Sequence, residues 1–334
     1  MSGAERENGT MRDGGDRQDG GPGRETETRR GTGSRRESGA QRAIRGMFAD
    51  AGVRGWLHVA DLHRPAARVV IDPDEPVPIG SVYKAPLMVA YCRLADAGKL
   101  DPRRRVTLGP ADRLPGPTGI SILRDPVTVS LRDLVVLMMT VSDNTAANAV
   151  LHLVGTAAVD EVCRELGMAD TRIHGGVATT FAQLVAETGT DSLSDALERI
   201  SDNDTTVPAV VYNPLSKASA TPADMARLLH AIWTDRAASP ESCAFMREVM
   251  GRQAWSHRLA SGFPYDDVRV SGKTGTFGSM RHEAGVIELP DGGAYTAVIF
   301  TQAARADNKL PRADAVIGAA ARVAVEELRG MEGT

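Results

Sequence analysis

The chain has 334 residues, which at roughly 150 per domain leaves room for about two domains and a sizeable core. Charged residues make up 25% and apolar ones 42%, with a formal net charge of −4. A collagen-like, wholly disordered or strongly basic chain is excluded, and no nucleic-acid partner is expected.

Residues 1–40 hold ten glycines, eight arginines, eight acidic residues and no aromatic, so they have nothing to bury and read as a disordered tail. They lack the apolar stretch of a secretory signal, and the longest apolar run, Leu134–Val141, is too short to span a bilayer. A cytoplasmic monomer without membrane contact is expected. From Gln41 a short helix runs to Gly52, followed by β-like runs at Gly55–Leu62 and Ala67–Ile71. The proline-rich Asp72–Pro78 then leads into a helix over Ser81–Ala97, closed by Gly98.

Cap signals delimit three helices in the middle of the chain: Ser130 before Leu131–Thr140, Asn144 before Ala146–Val154, and Thr156 before Ala157–Leu166. This region is predicted to be all-helical. Residues 174–216 are irregular, with one helix at Ser194–Ile200. Thr221-Pro222 opens a helix to Asp235, and another spans Pro240–Gln253. Strands follow at Val268–Phe277, Arg281–Leu289 and Tyr295–Gln302, the last two joined by the hairpin signal Pro290-Asp291-Gly292-Gly293. An alanine-rich amphipathic helix, Pro311–Leu328, closes the chain. Strands near both ends with helices between predict an α/β (α+β) fold. Its antiparallel sheet domain is discontinuous (41–102 and 219–334), and an all-helical domain (103–218) is inserted.

Three cysteines, Cys92, Cys163 and Cys243, fit neither a disulfide framework nor a metal site and read as buried thiols. His282-Glu283 begins like a zinc motif without its second histidine, which makes His282 a strand-surface or rim residue. Tyr83, Met88, Met138 and Met139 look like helix packing. Neither a metal nor a cofactor is expected.

Three short motifs carry chemistry: Ser81-Val82-Tyr83-Lys84, Ser142-Asp143-Asn144 and Lys273-Thr274-Gly275. The first arises by chance roughly 0.3 times in such a composition and the others roughly 0.03 times each, so their joint occurrence is the signal. Only five of the 39 basic residues are lysines, and two of those five stand in motifs. A serine hydroxyl needs a base to become a nucleophile. On a helix, Lys84 would lie beside the Ser81 Oγ, and crowding by Lys273 would lower its pKa. Ser142 would sit between the two lysines to relay a proton, and Asn144 would donate to a substrate amide and to Lys84. The N–H groups of Ser81 and Thr276 would form an oxyanion hole on the strand that carries Gly275. Lys273, Thr274 and Arg281 could hold a substrate carboxylate, with a surface position the even alternative for Arg281.

These motifs resemble those of the serine β-lactamase and penicillin-binding protein superfamily. The likeness is strongest to class A β-lactamases, through Ser142–Asn148, Gly155, Leu166-Gly167, Thr171-Arg172-Ile173 and Thr221-Pro222. It covers roughly residues 41–334. The resemblance implies a serine hydrolase acylated at Ser81 by a β-lactam or a related activated amide or ester. It also singles out a departure. Class A enzymes carry a water-activating glutamate soon after the Thr-Arg-Leu step, whereas here Thr171-Arg172-Ile173 runs into His174-Gly175-Gly176-Val177, and Val177 falls at that place. Glu187, Glu198 and His174 could substitute for that glutamate, against the plainer reading of two exposed helix glutamates and a loop histidine without a catalytic role. A second Ser-Asp-Asn, Ser201–Asn203, lacks the Thr-Ala-Ala-Asn that follows Ser142 and reads as a turn. The missing glutamate keeps two further readings open: an esterase or peptidase on the same fold, and a penicillin-sensing module that stays acylated.

Overall fold

The computed structural model describes residues 37–204, 209–307 and 309–331. The tail expected at the start of the chain lies, for residues 1–36, outside the described residues. Its predicted end at residue 40 is too late. Ser38 caps α1 (Gly39–Asp50) in a reciprocal box: its Oγ accepts from the Gln41 N–H at 3.2 Å, and its own N–H donates to Gln41 Oε1 at 2.7 Å. Ala40, Ile44 and Phe48 fall on one face of this helix and are buried.

The chain then forms β1 (Val53–Asp61), β2 (Arg68–Ile71) and the two-residue β3 (Val77–Pro78). A 3-10 turn at Gly80–Tyr83 leads into α2 (Lys84–Asp96). The middle region is not purely helical, because β4 (Arg105–Leu108) and β5 (Val127–Ser130) pair as a small antiparallel ribbon ahead of α3 (Leu131–Thr140). Ser130 caps α3 as its sequence predicts. Next come α4 (Asn144–Val154) and α5 (Thr156–Glu165), which turn on Gly155.

Two helices occupy the stretch expected to be irregular: α6 (Val177–Thr188) and α7 (Leu193–Ser201). α7 matches its prediction, whereas α6 has no side-chain cap at its start to announce it. β6 (Ser219–Ala220) pairs with β3, and α8 (Pro222–Trp233) and α9 (Pro240–Met250) follow. The last elements are β7 (Arg269–Phe277), β8 (Met280–Glu288), β9 (Ala294–Ala303) and α10 (Pro311–Gly330).

The main sheet has the order β2-β1-β9-β8-β7 and is antiparallel throughout. Both of its faces are buried, so its strands carry apolar residues at odd and even positions alike. Leu57, Val59 and Ile299 point toward α1 and α10, while Trp56, Val298 and Phe300 join the larger core made with the helices of the other face. β7 is an edge strand, and its free side faces the turn that holds Ser81. The three cysteines are buried and free. Among the described residues no helix is long and apolar enough to cross a membrane.

The cap of α4 is Asp143, not Asn144. Its buried carboxylate accepts from the N–H groups of Thr145 (2.9 Å), Ala146 (3.2 Å) and Ile120 (2.6 Å) and from Ser121 Oγ (3.0 Å). One side chain thus caps a helix and ties the 119–122 segment to it. α5 begins at Gly155 with no side-chain cap, so Thr156 does not serve as one.

Two stability changes follow. Ser38→Ala should cost about 1 kcal/mol in urea unfolding, the usual worth of an N-cap. Asp143→Ala should cost about 3 kcal/mol or more, because it strands several buried donors at once; a loss no larger than that of Ser38→Ala would show that the carboxylate does not organise this region.

Candidate active site

The turn that carries Ser81 is built by close approach. Gly80 has φ +49°, and a Cβ there would stand 3.0 Å from the Thr276 carbonyl oxygen. A Cβ on Gly275 would lie 2.4 Å from the Ile79 carbonyl oxygen. Glycine at both places lets β7 slide against the 3-10 turn, which brings the Thr276 backbone beside Ser81. The backbones that supply the two expected oxyanion donors therefore meet. Ser81 precedes α2 rather than lying within it.

Lys84, the first residue of α2, is fully buried. Its ammonium donates to the Ser142 carbonyl (2.7 Å), Asn144 Oδ1 (3.0 Å) and Ser142 Oγ (3.3 Å). No hydrogen bond joins it to Ser81 Oγ among the described residues, so the predicted contact is replaced by one to Ser142. Burial pulls the Lys84 pKa down to about 7, with Asp143 opposing. Desolvation, not crowding by Lys273, is the cause.

Lys273 projects from β7 to the same serine, donating to Ser142 Oγ at 3.0 Å and to the Thr274 carbonyl at 2.8 Å. It is buried as well, and burial together with the charges of Lys84 and Arg258 holds its pKa well below the usual lysine range. Ser142 stands between the two lysines as expected. Its φ of +58° is unusual for a residue with a Cβ, and the fixed Asp143 beside it maintains this conformation.

Asn144 accepts from Lys84 rather than donating to it, and its Nδ2 gives one of its two hydrogens to the Pro115 carbonyl at 2.8 Å. The side chain lines both of the spaces that open beside Ser81.

Arg281 is buried, not on the surface. Its guanidinium donates to the carbonyls of Gly278 (2.7 Å), Met280 (2.9 Å) and Asp307 (2.6 Å). These contacts hold the β7–β8 turn, and the side chain also lines the cleft that holds Ser81. A second guanidinium beside the cleft strand belongs to Arg258. It donates to Thr276 Oγ1 (2.9 Å) and to the carbonyls of Gly275 and His282 (2.8 Å each), with Nε 2.8 Å from Asp314. Sequence reasoning missed Arg258, which belongs to no motif. Gln253 was missed too: its Oε1 accepts from the Thr274 N–H at 2.8 Å, and its Nε2 donates to Glu283 at 2.6 Å. Burial raises the Glu283 carboxyl to about 7.

His282 is a core residue, not a rim one. The Thr301 N–H donates to its Nδ1 at 3.2 Å, so the proton resides on Nε2, which donates to the Pro78 carbonyl at 2.9 Å. Burial lowers its pKa to about 3, and the neutral ring pins β3 just ahead of the Ser81 turn. Tyr83, Met88, Met138 and Met139 are buried in the core, as their packing role requires.

A cleft of about 530 Å³ exposes Ser81, Ser142, Asn144, Thr274, Thr276 and Arg258 together. Ser201 ends α7 on the far wall of this cleft rather than forming a turn, and Asn203 exchanges hydrogen bonds with the backbone of Ala306. A second recess, of about 160 Å³, opens on the other side of Ser81 between Tyr83, Asn144, Val177, Phe181 and Lys217. Among the described residues no carboxylate lines it. Glu187 is not exposed: its side chain is 14% accessible and is paired with the buried ammonium of Lys217. Glu198 and His174 are exposed and line neither space.

Comparison with known proteins agrees with this arrangement. Residues 39–328 match the family described as the beta-lactamase enzyme family. The beta-lactamase regulatory protein BlaB of Streptomyces cacaoi is 31% identical over 304 residues, 86% of this chain and 97% of that one. A beta-lactamase of Sphaerobacter thermophilus superposes with a TM-score of 0.71 at 27% identity, covering 87% of this chain and 97% of the other. PBP-A superposes with a TM-score of 0.69 at 21% identity over 88% and 96% of the two chains, a likeness of fold. With its antiparallel sheet flanked by helices and its three motifs gathered at one cleft, this chain belongs to the beta-lactamase enzyme family.

Proposed function

We propose that this protein is a serine acyl-transfer protein that reacts at Ser81 with β-lactams and releases the acyl group slowly. The observation that carries the second half is the recess beside Ser81, where Val177 lies and no carboxylate does. In acylation, Ser81 Oγ attacks the lactam carbonyl carbon while its proton passes to neutral Lys84. The carbonyl oxygen takes up negative charge against the N–H groups of Ser81 and Thr276. The C–N bond then breaks, and Ser142, held between Lys84 and Lys273, hands its proton to the leaving nitrogen while taking up the one that Lys84 received from Ser81. The Lys84–Ser81 contact forms as substrate arrives, since catalytic hydrogen bonds tighten in the complex. Lys273, Thr274 and Thr276 meet the substrate carboxylate, with Arg258 behind Thr276.

Hydrolysis of the acyl-enzyme needs an activated water, and the recess offers hydroxyl and amide oxygens and the Lys217 ammonium, which is paired with Glu187, rather than a carboxylate base. The relation to a protein named as a β-lactamase regulatory protein supports a long-lived acylated state. Simple esters leave small acyl groups that admit water more easily, so weak esterase turnover is compatible with the same machinery.

Stopped-flow mixing with nitrocefin should give a burst of one equivalent, then a steady rate at least about 10²-fold slower, the usual worth of a lost general base. Intact mass should rise by one adduct on the Ser81 peptide, and Ser81→Ala should take none. A steady rate equal to the burst would sink this reading and point to Glu187, testable as Glu187→Gln. The burst rate should climb with pH through about 7, because Lys84 acts as base only once deprotonated. Ser142→Ala should slow the burst while leaving the fold intact; a flat pH profile or an unaffected Ser142→Ala burst would remove these residues from the relay.

A further inference from the structure

A second polar groove, of about 920 Å³, shares no lining residue with the cleft or recess at Ser81. Its origin lies in the sheet register. Cross-strand partners share a face, so His58 and Ala60 of β1 lie on the same side as Arg68 of β2 and Thr296 and Val298 of β9. Nearer the middle of that face, Trp56, Val298 and Phe300 are covered by the helical core. Toward the β2 edge the covering helix α8 presents Ala223, Ala226 and Ala231, side chains too short to fill the space above His58, Ala60 and Arg68.

The charges around this space are unequally satisfied. Asp61 is held by Arg64 at 2.9 Å and by the N–H groups of His63 and Arg64, and Glu165 is paired with Arg93. His230 and Arg236 bond to one another. Arg227 gives one nitrogen to Asp224 at 2.6 Å and is otherwise half-exposed. The Arg68 side chain is exposed and makes no hydrogen bond or ion pair among the described residues. His58 is 92% buried, and its Nδ1 has no hydrogen-bond partner. Burial, helped by the neighbouring charges of Arg68 and Arg227, pushes the His58 pKa down to about 4. The negative groups of the groove are thus neutralised in place, apart from Asp74 on its exposed rim, whereas two guanidinium groups keep free donors toward one imidazole.

We propose that this groove binds a small oxyanion, a carboxylate or phosphate group, held by Arg68 and Arg227 over His58. Planar guanidinium forks match such groups through paired, charge-assisted hydrogen bonds. The walls of alanine and Thr296 leave room for a body behind the anionic head.

The test uses the full chain with ring-labelled histidine, titrated with inorganic phosphate in one arm and citrate in the other at constant ionic strength. His58 ring resonances should shift saturably in at least one arm, and the arm that responds names the anion class. Arg68→Ala should weaken the response at least about tenfold, the loss expected for hydrogen bonds to a charged group. Arg68→Glu should abolish it, while Arg105→Ala, on the separate β4–β5 ribbon, should leave it unchanged. Arg68 is exposed and unpaired, so both variants should keep the wild-type melting temperature. Shifts that never saturate, that sodium chloride reproduces, or that persist at full affinity in Arg68→Ala would overturn the proposal.

Discussion

Two ammonium groups are buried against one hydroxyl, and the rest of the site is arranged around that fact. Lys84 and Lys273 both lie within 3.3 Å of Ser142 Oγ. Taking either charge out of water is costly, and holding both charged at that spacing is costlier still. The surroundings meet the cost with acceptors, the carbonyls of Ser142 and Thr274 and the amide oxygen of Asn144, and with a lowered proton affinity. A lysine whose charged form is disfavoured in this way is a base at neutral pH, which an ordinary surface lysine is not.

Keeping such a pair in register needs rigidity from three distant parts of the chain. Asp143 anchors the Ser142 loop, the glycines Gly80 and Gly275 let β7 lie against the Ser81 turn, and His282 fastens β3 in front of it. None of these three groups carries out a chemical step. Their shared property is that they are buried, neutral or fully hydrogen-bonded, and unable to move without stranding a partner.

What was legible in the sequence follows from locality. The periodic helices and the hairpin at residues 290–293 depend on neighbours within a few positions, and they form where the sequence predicts them, although Asn144 and Thr156 are not the caps of their helices. Arg258 was not legible, because an arginine in a loop gains its meaning only from folding back under a strand that begins eleven residues later and from meeting Asp314. α6 went unseen because Gly176 supplies no capping side chain and the helix is apolar on more than one side. Glu187 looked like a solvent-exposed helix residue; its partner, the buried Lys217, lies 30 positions away. The burial of Arg281 was hidden for the same kind of reason: charge suggests a surface residue, but three backbone carbonyls hold its guanidinium inside the fold.

The absence of a carboxylate at Val177 affects both halves of the chemistry, in opposite directions. Val177 shares the recess with Asn144, and Asn144 is hydrogen-bonded to Lys84. An opposite charge at that distance would favour the protonated lysine and raise its pKa. With valine there, only Asp143 opposes the desolvation of Lys84, and the ammonium is brought to the range where it gives up its proton at neutral pH. In the proposed chemistry, the same valine leaves no carboxylate there to prepare water. Under the proposed acyl transfer, a site built this way would favour forming the acyl-enzyme over breaking it, through one residue that performs neither step.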